Sequence, residues 1–217
     1  MNRRLPLTTR SLAIAALLAL IAACGDESRQ AAPASSPKAD HHHESMAAAD
    51  PVSGQSLHQL TAPWTDQHGE TVRLADFAEQ IVVLAMVYTH CDNACPRIIA
   101  DMRSIRKAFP DKAGNMAFVL ASIDPERDTV THLKQFGQQT GLSEQGWRLL
   151  RAPDDTVREL AAVLGVQYRR ISEIDFAHSN IITVLGPSGE IRHQQQGLGT
   201  APDDTVAMIH KLHRTAD

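Results

Sequence analysis

Ile81 to Tyr88 is an unbroken apolar run rich in β-branched residues, and it restricts the possible folds more than any other stretch of the chain. A strand with one wet face would alternate apolar and polar residues. This one does not, so it is buried on both faces and needs a covering layer on each side of its sheet. Directly after it come Cys91, Cys95 and Pro96, and then Ile98, Ile99, Met102, Ile105 and Phe109 recur at helical spacing until Pro110 stops the run. Met116 to Ile123 is a second buried run. Strand, helix, strand in that order opens an alternation that points to a central sheet covered by helices.

The rest of the chain adds to this unit. Leu57 to Leu74 reads as a hairpin turning through Asp66-Gln67-His68-Gly69, where glycine supplies a positive φ. Thr129 to Gln139 reads as a helix ended near Gly141, Trp147 to Leu150 as a short strand, and Asp154 to Leu164 as a helix closed by Gly165. Ile181 to Leu185 and Ile191 to Gln195 flank Gly186-Pro187-Ser188-Gly189 as a second hairpin. Pro202 to His213 is a closing helix, acidic at its start and basic at its end, matching the macrodipole. The expected class is α/β: a mixed sheet flanked by helices, with an N-terminal β-hairpin, a plan that resembles a thioredoxin-like domain. The two cysteines then lie at the carboxyl end of the sheet, where open α/β sheets place their sites.

The first 50 residues have a different character. Arg3, Arg4 and Arg10 precede the apolar stretch Leu12 to Ala23, which is too short to span a bilayer, so residues 1–23 read as an export signal. Ile21-Ala22-Ala23-Cys24 resembles a bacterial lipobox with Cys24 lipidated after cleavage; ordinary signal cleavage is the alternative, which Ile21 fits less well. Residues 24–50, rich in Ala, Ser, Pro and Asp with no apolar period, read as a flexible linker on that lipid anchor. The linker carries His41 to His43, a loose metal collector or a solvated run. Residues 51–217 have the length of one domain. Removing residues 1–23 takes away three arginines and no acid, so the formal charge moves from −4 to −7, which argues against a nucleic-acid partner. The expected location is the periplasmic face of a bacterial membrane, inner or outer.

With Cys24 used for the anchor, Cys91 and Cys95 are the remaining cysteines. Placed at a helix amino terminus, both thiols feel the positive end of the dipole, which lowers their pKa and favours the thiolate. They can form a disulfide with each other or, when reduced, chelate a metal. Two thiolates joined by an imidazole suit a soft ion, copper before others, whereas structural zinc normally takes four protein ligands. Among the eleven histidines, His178 is the candidate third donor, because its segment Phe176-Ala177-His178-Ser179-Asn180 leads into the Ile181 strand as a loop that faces the cysteines in a thioredoxin-like topology. His90, beside Cys91, ranks lower, since its side chain points to the other face if the strand extends that far.

Three segments taken together resemble the Sco/SenC family: Tyr88-Thr89-His90-Cys91-Asp92-Asn93-Ala94-Cys95-Pro96, then Ser122-Ile123-Asp124-Pro125-Glu126-Arg127-Asp128-Thr129, then His178-Ser179 before Ile181 to Gly189. The resemblance runs from about Leu57 to the carboxyl terminus. It implies a thioredoxin-like fold and a copper site formed by Cys91, Cys95 and His178. It also implies copper delivery, or the keeping of recipient cysteines reduced, during assembly of the dinuclear copper centre of cytochrome c oxidase, with a copper-accepting oxidase subunit or another cuproprotein as partner. Members often carry Pro-Asp where this chain has Asp92-Asn93, and an acid directly before the histidine where it has Ala177, Asp175 lying three back. The Asp124 to Thr129 stretch reads physically as a helix cap, supplied by Asp124, Asp128 or Thr129. The competing activity is a periplasmic thiol-disulfide reductase in which one cysteine attacks and the other resolves.

Overall fold

The computed structural model describes residues 45–51, 54–91, 94–110, 115–143 and 146–216. The signal segment, Cys24, His41 to His43, and the Asp92-Asn93 pair lie outside the described residues. The two apolar runs become β3 (Ile81–Val87) and β4 (Met116–Ser122), every residue of both being buried. They pair in parallel, Ile81 opposite Met116 through Val87 opposite Ser122. The crossover between them is α1 (Ala94–Lys107), which turns Ile98, Ile99, Met102 and Ile105 onto the sheet. A second crossover, α2 (Val130–Thr140), leads from β4 to β5 (Trp147–Arg151), again parallel.

Hairpins add antiparallel strands at each edge. β1 (Trp64–Asp66) and β2 (Thr71–Val72) join beside β5, and β8 (Ile181–Leu185) and β9 (Ile191–Gln196) join beside β3. The seven strands run in the order β2-β1-β5-β4-β3-β8-β9. The helices α3 (Asp154–Leu164) and α4 (Asp203–Ala216) join α1 and α2 as the α-helices among the described residues. This is the mixed sheet with an N-terminal hairpin that the sequence implies. The hairpin itself is shorter than Leu57 to Leu74, because single-turn 3-10 helices occupy Leu57–Gln59 and Leu74–Phe77. Its turn is held by the Asp66 carboxylate, which accepts the His68 and Glu70 N–H groups at 2.8 and 3.0 Å, with Gly69 at φ +85°.

One hairpin is absent from the sequence reading. β6 (Tyr168–Arg170) and β7 (Phe176–His178) form a separate two-stranded sheet, with Tyr168 opposite His178. The residues just upstream of the domain also take a defined path. Met46 N–H donates to the His178 carbonyl at 3.3 Å and Ala49 N–H to the Gly165 carbonyl at 2.9 Å. Ser179 Oγ donates to the Ala47 carbonyl, and Asn180 Nδ2 to Ser45 Oγ. Gly165, at φ +70°, closes α3 and leaves room for this strap: a Cβ there would lie 2.2 Å from the Ala49 carbonyl oxygen. No helix among the described residues is long and apolar enough to cross a membrane.

Candidate metal centre

β3 ends at Val87, and the chain turns so that Cys91 N–H reaches the Tyr88 carbonyl at 3.4 Å. Cys95 is already the second residue of α1, and its N–H donates to Cys91 Sγ at 3.4 Å. The amino end of α1 is therefore aimed at the Cys91 sulfur. Both residues are free thiols and both are buried, 5% and 1% exposed. Burial reverses the sequence-based expectation for Cys95. It pushes this thiol well above its ordinary pKa, the neighbouring Cys91 adds to the rise, and a backbone hydrogen bond from Tyr88 offsets only part of it.

His178 is the last residue of β7 rather than part of a loop, and it is 4% exposed. Its Nδ1 lies 3.0 Å from the Ser179 carbonyl, an acceptor, so Nδ1 carries the proton and donates it. In the neutral ring Nε2 is then a bare lone pair. That atom is buried and has no hydrogen-bond partner. Unpartnered buried polar atoms are uncommon, and an imidazole fixed through one nitrogen with the other free is the arrangement of a metal-ligating histidine.

Tyr88 connects the two halves of the site. Its hydroxyl donates to Asp175 Oδ1 at 2.5 Å and accepts the Phe176 N–H at 3.4 Å. It also shares a hydrogen bond with the Cys91 side chain, while its ring meets the His178 ring edge-on at 5.9 Å. Burial first, then Asp175 and Cys91, push the phenol pKa far above its usual value, so the hydroxyl keeps its proton. Sequence reasoning missed Tyr88, because a tyrosine closing an apolar strand reads as core. Asp175, three residues before His178, is its anchor.

The Asp124 to Thr129 stretch divides its roles. Thr129 alone of the three cap candidates caps α2, its side chain accepting the His132 N–H. Asp124 is fully buried and pairs instead with Arg127 and Arg170. Asp128 is also fully buried, and ties the cysteine turn to β4: it accepts from Thr89 N at 3.2 Å, from Thr89 Oγ1, and from Ser122 Oγ at 2.5 Å. Beside it, the exposed His90 ring stacks on His132 at 4.4 Å, the ring planes 9° apart. His90, Asp128 and His132 bring their ligand atoms within 4.8 Å of one another, the one trio of His, Cys, Asp or Glu residues among the described ones to do so. Cys91, Cys95 and His178 are not drawn to that spacing: the Cys95 N–H meets the Cys91 sulfur, and Tyr88 adjoins both Cys91 and the imidazole.

Comparison with known proteins gives a consistent picture. The sequence profile of SCO1/SenC matches residues 55–215. A SCO1 protein homolog of Bacillus subtilis (strain 168) is 23% identical over 155 residues, 69% of this chain and 80% of the relative. A SCO1/SenC family lipoprotein from Bacillus anthracis superposes with a TM-score of 0.67 at 20% identity, over 77% of this chain and 99% of the other. Arabidopsis thaliana ScoI with copper bound superposes with a TM-score of 0.62 at 19% identity, over 71% and 96%. These likenesses establish the thioredoxin-like fold.

Proposed function

Because the chain belongs to the SCO1/SenC family, we propose that it is a copper carrier in which Cys91, Cys95 and His178 hold the ion and release it to a protein acceptor by exchange of ligands. The observation that carries this reading is the buried, unpartnered Nε2 of His178. Its donor set suits the cargo: two thiolates favour Cu(I), and a nitrogen donor helps accommodate Cu(II). Burial keeps the proton on Cys95, so a bound cation must displace it, and thiolate formation there is part of loading.

The acceptor is a copper-receiving subunit of a terminal oxidase or another cuproprotein, and the activity supports assembly of the dinuclear copper centre of cytochrome c oxidase. The carrier works at the periplasmic face of a bacterial membrane, tethered through lipid on Cys24 and the linker that follows. Support for the tether comes from the leader sequence and from the likeness to a lipoprotein of the family.

Copper titration of the reduced full chain beside His178→Ala tests the site. The variant is expected to weaken copper retention by more than about tenfold, since losing a ligand exceeds the loss of an outer partner, with an unchanged circular dichroism spectrum. Unchanged affinity for both copper oxidation states removes His178 from the site. Fast turnover of a protein disulfide by the copper-free protein would favour the reductase instead.

A further inference from the structure

Outside the thiol site, the strongest concentration of donor atoms among the described residues is the trio His90, Asp128 and His132. We infer that these three residues form a second metal site, open to solvent, that takes a divalent first-row transition ion, Cu(II) most tightly.

The donor set is two imidazoles and one carboxylate, borderline nitrogens with a hard oxygen, which suits Cu(II), Ni(II) or Zn(II) rather than Cu(I). Asp128 is fixed before any ion arrives. Its two oxygens take three protein donors, Thr89 N, Thr89 Oγ1 and Ser122 Oγ, out of roughly four lone-pair positions that a carboxylate offers. The remaining position faces His90, whose Nδ1 stands 3.6 Å from Asp128 Oδ1. That is too long for a hydrogen bond. It is, however, within a few tenths of an ångström of two donors sharing one ion, because tetrahedral bonds of about 2.0–2.1 Å place neighbouring ligand atoms roughly 3.3–3.4 Å apart.

His132 is held on the first turn of α2 by the Thr129 cap, and its ring stacks on that of His90, so both imidazoles present their edges to one place. The burial gradient is that of an entry site: Asp128 is fully buried, His132 half-buried and His90 exposed. A carboxylate held by three protein donors at the bottom and an exposed imidazole at the mouth leave the site open to an ion from solution. None of the three belongs to the thiol site, so this inference stands whether or not Cys91, Cys95 and His178 carry copper.

The test compares the full chain with His90→Gln/His132→Gln, leaving the structural Asp128 in place, both in the natural background and with Cys91→Ser/Cys95→Ser. Cu(II) alone is titrated, and bound copper is read by calorimetry and by electron paramagnetic resonance. The expected result is that the double-glutamine variant loses one equivalent of Cu(II), together with hyperfine coupling to two imidazole nitrogens, in both backgrounds. Its circular dichroism stays that of the parent. His41 to His43 are present in every variant and cancel in the comparison. If the serine background fails to fold, the natural background decides on the same two readouts. Equal stoichiometry and equal nitrogen coupling with and without the two histidines would overturn the site.

Discussion

The smallest unit on which the candidate centre depends is the Tyr88 hydroxyl. It stays protonated, donates to Asp175, and receives the Phe176 N–H, so one oxygen ties the cysteine turn to the strand that carries His178. Tyr88→Phe keeps the ring and removes the oxygen. The Asp175 carboxylate and the Phe176 N–H both lose a partner, and the expected cost is about 1.5–3 kcal/mol, the range for hydrogen bonds to charged groups; urea unfolding measures it. A change indistinguishable from zero would mean that Asp175 finds water instead. Cys91 and Cys95 are visible in the linear chain because the strand, the pair and Pro96 are contiguous. The tyrosine contact is not, since its partners lie 87 and 88 residues away and nothing in an apolar run marks which side chain will donate. The pKa of Cys95 was illegible for a related reason: a helix amino terminus can be read from sequence, but the depth of burial that outweighs it cannot.

At the level of elements, the long periodic segments are legible and the short polar ones are not. α3 follows its expected bounds, from Asp154 to Leu164, because apolar spacing, first-turn acids and a terminal glycine agree. The β6–β7 hairpin shows no such agreement: β6 is three residues, two of them exposed arginines, and the connection presents Ile171 and Ile174 to solvent. That is why His178 reads as a loop residue and is found in a strand. Gly165 offers a test of how the strap and α3 meet. Gly165→Ala places a side chain on a left-handed residue and against the Ala49 carbonyl. It is expected to cost more than about 1 kcal/mol and to raise hydrogen exchange at Met46 and Ala49, whose N–H groups bond to the domain. Protection unchanged at those two amides would show that the strap is held elsewhere.

Across the whole molecule, stability should vary with pH through a histidine far from the cysteines. His193 on β9 donates through Nε2 to Thr205 Oγ1 of α4 at 3.0 Å, and Thr205 in turn donates to Gln195 Oε1 at 2.8 Å. Burial lowers its pKa below the ordinary 6.5, with Asp204 opposing in part. Below that ordinary value the unfolded chain binds a proton that the native state refuses, so stability falls as pH drops from about 6.5 towards the native pKa. His193→Gln is expected to flatten this fall in thermal midpoints taken from about pH 7.5 down to about pH 5; an identical slope would assign the acid sensitivity to other groups. The strap has a mechanical consequence as well. Because Met46, Ala47 and Ser45 grip His178, Ser179 and Asn180, tension on the chain upstream reaches the backbone of the imidazole before it reaches the core. With His178 as the copper ligand proposed above, a leash drawn taut is expected to weaken copper retention and a slack one to restore it.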